Sequence, residues 1–156
     1  MSLSVDHSLQ PGSAAVASQC RQFCEDLGIS SQVLRIPWSQ PPFPPRPGTN
    51  GPIETVARQA RYRLLLKAMR DNHATVIAMG HHADDQVETL IMRLARTRST
   101  STLTGMRCCR RWGMGTSPNS LDWAGSSGMH HWIVRPLLNV PKVSVLCFNL
   151  THLPFT

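Results

Sequence analysis

Five titratable side chains lie close together near the middle of the chain: His81, His82, Asp84, Asp85 and Glu88. Carboxylates and imidazoles bind cationic groups, move protons and hold metal ions. At helical spacing, Asp85 and Glu88 share one face of a turn because they are three residues apart. These residue types at this spacing predict a polar ligand site.

Two plainer interpretations of the same residues stay open. Asp84 and Asp85 could simply cap a helix and stabilise its positive end, as carboxylates at helix starts commonly do. Alternatively, the two histidines and Asp84 and Asp85 could hold a metal ion, although adjacent histidine side chains point apart.

The flanking elements predict that these residues lie at the carboxyl end of a sheet. Thr75–Met79 is a β-branched apolar run, typical of a strand that is buried on both faces. Asp84 is the predicted N-cap of the helix that follows. The residues predicted to be buried on one face of that helix are Val87, Leu90, Ile91, Leu94 and Ala95. Open α/β folds bind their ligands at such strand ends.

The rest of the chain alternates between predicted strands and helices. Strands are predicted at the N-terminus, ending at Asp6-His7, and over 31–38 and 131–138. Helices are predicted from the N-cap Ser13 through Leu27, closed by Gly28, and over 53–70 after Pro52. The predicted buried residues of the first helix are Ala17, Cys20, Phe23, Cys24 and Leu27. Those of the second are Ile53, Val56, Ala57, Ala60, Leu64 and Ala68.

The composition of two segments predicts irregular structure. Residues 40–52 carry six prolines and two glycines, which favours an exposed, partly extended loop; a ligand for an SH3-type domain is the alternative. Residues 113–128 are rich in Gly and Ser and read as a second loop. Between the two, the basic cluster Cys108–Trp112 fits either RNA phosphate contact or an ordinary edge strand.

The composition of the chain limits the classes of function that it can have. A chain of 156 residues with 41% hydrophobic content suits one domain, and a formal charge of +7 favours a polyanionic partner such as nucleic acid. No stretch reaches the ~20 apolar residues of a membrane span, and the N-terminus lacks the pattern of a secretory signal. Five cysteines without a Cys-x-x-Cys pair fit a reducing compartment. We therefore expect a cytoplasmic or mitochondrial protein that is not secreted and has no membrane partner.

Two motifs resemble one enzyme family. The string GHHADDQVETLIMRL is similar to the His-x-x-Asp-Asp-Gln-x-Glu-Thr motif of the PP-loop ATP pyrophosphatases, above all the tRNA(Ile)-lysidine synthases. Residues Glu54 to Tyr62 resemble the Glu-x-x-Ala-Arg-x-x-Arg-Tyr helix of the same family. Shorter likenesses occur at Val5–Pro11, Leu103–Met106 and Arg135–Leu138.

The resemblance implies a role for each matching residue. It assigns Arg61 to the phosphates of ATP and Asp85 to the reacting centre. It assigns Glu88 to the ammonium group of a lysine substrate and His82 to the same pocket. It places His81 and Asp84 beside this pocket; roles as turn and cap residues are the alternative for both.

The resemblance also implies a fold and a reaction. The fold is an α/β, Rossmann-like doubly wound parallel sheet of the adenine nucleotide alpha hydrolase type over residues 1–142, followed by an atypical tail over 143–156. The reaction joins lysine to C2 of the wobble cytidine of an isoleucine tRNA with a CAU anticodon, through an adenylated intermediate. The implied cofactor is ATP, with Mg²⁺.

The match lacks one part of the family pattern. Relatives carry a first strand that runs into Ser-Gly-Gly-x-Asp-Ser, the PP-loop, and no such Gly-rich loop occurs in these 156 residues. We therefore expect the first strand to be missing, neighbouring strands to flank an open apolar groove, and this chain by itself to be inactive. A tRNA 2-thiolating PP-loop enzyme and a non-catalytic RNA-binding fragment are the alternatives.

Overall fold

The computed structural model describes residues 1–48, 53–96, 104–113 and 123–144. Its elements, in chain order, are β1 (Ser2–Asp6), α1 (Ser13–Asp26), β2 (Ser31–Arg35), α2 (Ile53–Asp71), β3 (Val76–Ala78), α3 (Ala83–Arg96), β4 (Cys109–Arg111), a 3-10 helix (Gly125–His130) and β5 (Trp132–Val134). The predictions for Pro52, residues 97–103, residues 114–122 and the tail from residue 145 lie outside the described residues.

The strands form two sheets, and the α/β class predicted from the sequence is confirmed. β1 pairs with β2 in parallel, with Ser2 opposite Ser31. The second sheet has the order β3-β5-β4, in which β3 and β5 are parallel and β4 is antiparallel to β5. No helix among the described residues is long and apolar enough to cross a membrane.

A groove of about 570 Å³ lies between the two sheets. Its walls include Leu3 and Val5 of β1, Ile77 of β3, and one side of α2 from Arg61 to Met69. Among the described strands, β1 and β3 each have one bonded neighbour, so each has an edge without a partner. This arrangement agrees with the expected gap in the sheet.

Helix α2 carries most of the apolar core that the described residues bury. Its bounds match the prediction to one residue, and its buried residues are Ala57, Ala60, Tyr62, Leu64, Leu65, Leu66, Ala68 and Met69. One cluster on this helix packs Tyr62 and Leu66 against Trp112, which follows β4, and Ile133 of β5. The other packs Ala60 against Ile36, next to the first sheet. The helix is thus buried beyond the single face that was predicted, whereas Ile53 and Val56 of that predicted face are only half-buried.

The burial predicted for β3 is wrong. The strand is shorter than residues 75–79, and Val76 is exposed while Ile77 is half-buried. The cause is its position, since β3 borders the groove on one side and pairs with β5 on the other.

The burial predicted for α3 is also wrong. Its helical periodicity is as expected, but its apolar face is exposed; we call Val87, Ile91, Met92 and Leu94 the α3 face. Ala95 is exposed too, and Leu90 is half-buried. An apolar stripe predicts a helix, but it does not tell which part of the protein covers that stripe.

Helix α1 likewise buries less than predicted. Only Ala17 of the predicted set is buried, because the helix packs on a sheet of just two strands. Cys24 is half-buried and Cys20, Phe23 and Leu27 are exposed. Gly28 adopts a φ of 73° after the last turn, as predicted for a glycine that closes a helix.

Two strands end earlier than predicted. β2 stops at Arg35 rather than at residue 38. β5 ends at Val134 because Pro136 has no backbone N–H for pairing, and residues 136–139 form a turn in which the N–H of Leu138 bonds the carbonyl of Arg135.

Candidate functional site

A cavity of about 650 Å³ opens where β1 ends and α2 begins. We call it the basic cavity, because the charged residues that line it in the described part of the chain are Arg46, Arg58 and Arg61 with a single carboxylate, Glu54. His7 completes the polar wall, and the apolar part of the lining includes Leu9, Ile53 and Ala57. A concave site with apolar walls and a few convergent charged groups is typical of a small-molecule site.

The arginines of the basic cavity keep their charge unneutralised. Within the described part of the chain, no carboxylate lies within 4.0 Å of the guanidinium of Arg58 or Arg61. The Nε of Arg61 is buried without a hydrogen-bond partner, and the Arg58 guanidinium lies 5.4 Å from the ring centre of Tyr62. Like charges held together without counterions favour binding of an anion.

A buried aspartate fixes the end of β1. Asp6 accepts hydrogen bonds from the backbone N–H of Ser8 at 2.8 Å and from the hydroxyl of Ser13 at 2.7 Å. The Ser13 bond is the main reason why the pKa of Asp6 is lowered, so this carboxylate stays charged. Ser13 therefore holds Asp6 and does not cap α1 as predicted; Gly12, at a φ of 86°, precedes that helix.

The surroundings of His7 favour its uncharged form. Burial lowers its pKa, and the Arg61 guanidinium lowers it further, while Asp6 opposes the shift. A neutral imidazole in the wall adds no positive charge and can still donate or accept a hydrogen bond.

The turn before α3 differs from the predicted cap. The helix begins at Ala83, and Asp85, its third residue, accepts a hydrogen bond from the backbone N–H of His82 at 2.7 Å. This is the returning half of a capping box, so Asp85 stabilises the helix start in place of Asp84. The same carboxylate oxygen lies 3.4 Å from Nδ1 of His82, which has no partner with hydrogen-bond geometry.

His81 connects this turn to the basic cavity electrostatically. Burial lowers the pKa of His81, and the nearby guanidinium of Arg135 lowers it next, against the raising effect of Asp85. Arg58 and Arg61 of the basic cavity contribute smaller lowering effects. The histidine turn, Asp85 and the α2 arginines therefore belong to one neighbourhood.

Glu88 and Asp84 face a different cavity. Both line a space of about 700 Å³ on the outer side of α3, together with Val87, Ile91 and Pro141. Asp84 also accepts a hydrogen bond from the backbone N–H of Lys142 at 3.2 Å. Asp85 does not line this cavity, so the structure brings Glu88 to Asp84 and turns Asp85 towards His82.

The metal-site alternative finds no ligand set in the described residues. They contain no group of three or more His, Cys, Asp or Glu side chains that could hold an ion. The pairing of His82 with Asp85, and the exposure of Asp84 on the outer side, separate the four residues that this alternative needs.

Sequence reasoning assigned no role to two arginines that the structure brings to the site. Arg135 is 3% exposed and donates from Nη1 to the carbonyl of Arg107 at 2.8 Å, beside His81. Arg46 comes from the proline-rich loop. Arg135 lies in a family-like Arg-Pro-Leu-Leu string, which is a usable signal, but nothing local marks Arg46.

The basic cluster at 108–112 forms an edge strand. β4 pairs only with β5 among the described strands, Trp112 is buried, and the Arg111 guanidinium lies 4.9 Å from the ring centre of Trp132. Arg111 also donates to the carbonyl of Met129 at 3.1 Å. These contacts account for the cluster structurally and leave RNA contact as a separate hypothesis.

Comparison with known proteins gives a consistent result. The family described as the PP-loop domain matches residues 1–152. A tRNA(Ile)-lysidine synthase of Mesorhizobium japonicum is 37% identical over 149 residues, which are 95% of this chain and 29% of the relative. One from Lactiplantibacillus plantarum is 38% identical over 111 residues, 71% of this chain and 23% of that protein. The chain thus spans less than a third of the length of these curated relatives.

A solved structure shares the fold. The U34-tRNA thiolase NcsA of Methanococcus maripaludis, determined with its 4Fe-4S cluster, superposes with a TM-score of 0.64. The match covers 99% of this chain and 47% of the thiolase at 16% sequence identity. At that identity the likeness concerns the fold alone.

Proposed function

Because the chain belongs to the PP-loop domain family, we propose that it is the catalytic part of a tRNA-modifying ligase of the tRNA(Ile)-lysidine synthase kind. The substrates are ATP, free lysine and an isoleucine tRNA with a CAU anticodon. The observation that carries the proposal is the pair of unneutralised arginines, Arg58 and Arg61, in a cavity beside the His81 and Asp85 turn.

The reaction has two steps. The oxygen on C2 of the wobble cytidine attacks the α-phosphorus of ATP, and pyrophosphate leaves. The amine of lysine then attacks C2, and AMP leaves with the oxygen. Such chemistry needs the partners held in position and the phosphate charge stabilised, because C2 of cytidine is a poor electrophile until its oxygen becomes a leaving group.

Arg61, with Arg58, binds the phosphates. Guanidinium groups form paired hydrogen bonds with phosphate oxygens, and the buried Nε–H of Arg61, which has no partner in the described structure, can donate one of them. His7 lies in the wall of this cavity and His81 lies near it; burial favours the uncharged form of both, so the positive charge that binds the anion comes from the arginines. Asp85 holds the turn that carries His82, through the bond to its backbone N–H.

Glu88 binds the lysine ammonium from the outer side of α3. Its carboxylate is exposed, shares a cavity with Asp84, and has no ion-pair partner in the described residues. Two carboxylates four residues apart attract one cation more strongly than either does alone. The apolar residues Val87 and Ile91 beside them suit the methylene chain of lysine.

Mg²⁺ would accompany ATP. This ion usually keeps several waters and needs only one or two protein carboxylates besides the substrate phosphates. The Oδ1 atom of Asp85 has no hydrogen bond with the described residues and fits that need. When bound, the ion would neutralise charge on the phosphates.

The test is lysine transfer to the tRNA by a form of the protein that carries out the whole reaction. Labelled lysine should enter the tRNA only with ATP, and AMP and pyrophosphate should appear in equal amounts. Arg61→Gln should abolish most of this, while Arg21→Gln, an exposed charge on α1, should not. Transfer that survives Arg61→Gln unchanged would contradict the proposal.

Two alternatives remain. A 2-thiolating enzyme would share the adenylation step and this fold, but the sequence has no Cys-x-x-Cys pair. A non-catalytic RNA-binding fragment would bind tRNA without consuming ATP. Sulfur incorporation into the tRNA would support the first alternative, and ATP-independent binding without product the second.

A further inference from the structure

The proline-rich loop forms part of the wall of the basic cavity. Its composition predicts only an exposed connection between β2 and α2. In the structure, Arg46, Pro47 and Gly48 line the basic cavity together with Arg58 and Arg61 of α2.

Contacts with the core fix the position of this loop. Phe43 and Trp38 pack against the cluster of Ile36, Ala60 and Leu64. The indole Nε1 of Trp38 donates to the carbonyl of His7 at 2.8 Å, and the backbone N–H of Ser39 donates to the carbonyl of Pro44 at 2.9 Å. The approach to Arg46 is therefore tied to both α2 and the end of β1.

The backbone around Arg46 is also stiff. Pro44, Pro45 and Pro47 surround it, and each proline ring restricts φ. A side chain presented from a restricted backbone loses less conformational entropy when it binds a ligand. Arg46 itself is exposed and has no ion-pair partner among the described residues, so its guanidinium is available.

We propose that Arg46 is a third phosphate-binding residue, which holds the polyphosphate of a nucleotide from the loop side of the basic cavity. This rests on the proposed function and adds a residue that the family-like motifs do not contain. Three guanidinium groups and one carboxylate among the described lining residues suit a ligand that carries several negative charges. The apolar residues Leu9, Ile53 and Ala57 leave room for the base in a cavity of about 650 Å³.

The experiment compares Arg46→Gln with Arg21→Gln in the 156-residue chain. Both changes remove one exposed positive charge, but only Arg46 lines the basic cavity. Inorganic tripolyphosphate and ATP are titrated into each protein, and binding is followed by NMR in the millimolar range. Arg46→Gln should weaken both ligands about tenfold, the loss of one charge-assisted bond. Arg21→Gln should change them less than about twofold, the effect of one distant screened charge.

Adenosine and RNA provide the other arms. Adenosine has no phosphate, so its binding should not change in Arg46→Gln; an equal loss would assign Arg46 to the base and overturn the proposal. A single-stranded RNA that loses affinity while tripolyphosphate does not would also overturn it. So would equal effects of the two variants, or no binding of tripolyphosphate to the unchanged protein.

The outcomes separate this inference from the proposed function. If Arg61→Gln weakens ATP and Arg46→Gln does not, the role of Arg46 is wrong and the proposed function stands. If Arg46→Gln weakens tripolyphosphate and the complete protein does not transfer lysine, the phosphate site stands and the ligase function is wrong.

Discussion

Glu88 is an exposed carboxylate whose charge is not used within the described structure. We expect Glu88→Gln to reduce lysine incorporation at least about tenfold, since it removes the charge partner of an ammonium group. ATP–pyrophosphate exchange should stay near normal, because Glu88 lies outside the basic cavity. The two activities are measured separately in a form of the protein that carries out the reaction.

The control is Glu25→Gln, which removes an exposed carboxylate from α1. It should leave both activities unchanged. If Glu88→Gln reduced exchange and incorporation to the same extent, Glu88 would have no specific role towards lysine.

The two neutral histidines predict how stability depends on pH. Burial lowers the folded-state pKa of His7 and His81 below the ordinary value of 6.5, so the unfolded chain binds more protons. Above pH 6.5 these two histidines do not lower the free energy of unfolding. As the pH falls below 6.5, protonation favours the unfolded chain and the free energy of unfolding decreases. We expect the free energy of unfolding, measured with urea, to decrease from pH 7 to pH 5.

Substitution identifies the groups responsible. The double variant His7→Gln with His81→Gln should show a smaller pH dependence over that range, whatever its absolute stability. His73→Asn is the control, because His73 is exposed and asparagine tolerates its φ of 52°. An unchanged pH dependence in the double variant would assign the effect to other groups.

At the scale of elements, helices α2 and α3 differ in what covers them. Leu66 of α2 is 1% exposed and Ile91 of α3 is 60% exposed. We expect Leu66→Ala to lower the free energy of unfolding by about 2–5 kcal/mol and Ile91→Ala by less than about 0.5 kcal/mol. Urea unfolding of both variants measures this, and similar losses would mean that the α3 face is covered in solution.

The same pair of helices explains how far the sequence could predict the fold. Helix α2 was predicted within one residue because a capping proline, an apolar stripe and a family motif agree. The period of α3 was equally clear, yet its burial was wrong, since burial depends on the neighbouring elements and not on the helix itself. The burial predicted for the short strand β3 was wrong for the same reason, because the arrangement of the sheet leaves one edge of β3 without a partner among the described strands.

The site shows a similar limit. The motif residues Arg61, His81 and Asp85 were predicted and lie in one neighbourhood, although their roles stay predictions. Arg46 is fifteen residues from Arg61 in sequence and reaches the basic cavity through the anchored loop. No local pattern reports such a contact.

At the scale of the whole molecule, the net charge of +7 favours binding of a nucleic acid, and the salt dependence of binding tests this. We expect tRNA binding to weaken steeply with salt, since each phosphate contact releases a counterion. Arg107, exposed before β4, is a candidate contact, and Arg107→Gln should reduce the slope of log affinity against log salt by about 1. Filter binding at several salt concentrations measures the slope. If the affinity did not change with salt, or if no binding occurred at low salt, this surface would not be an RNA-binding surface.

The 156-residue chain alone should neither hydrolyse ATP nor form lysidine. Phosphate loops present several backbone N–H groups at once, and the arginine side chains of the basic cavity cannot replace that geometry. Calorimetry should find no submillimolar ATP affinity, and the groove should promote aggregation. Submillimolar affinity, with AMP and pyrophosphate released in the presence of tRNA and lysine, would contradict this.

The groove between β1 and β3 has one further consequence. Its lining residues on α2 run from Arg61 to Met69, about 12 Å at 1.5 Å per residue, which is close to the length of about four residues of extended strand at about 3.3 Å per residue. His7 and Arg61 line both the groove and the basic cavity. A segment that enters the groove and displaces His7 or Arg61 would therefore change the affinity of the basic cavity for its anion, and by thermodynamic reciprocity the anion would change the affinity of the groove by the same factor.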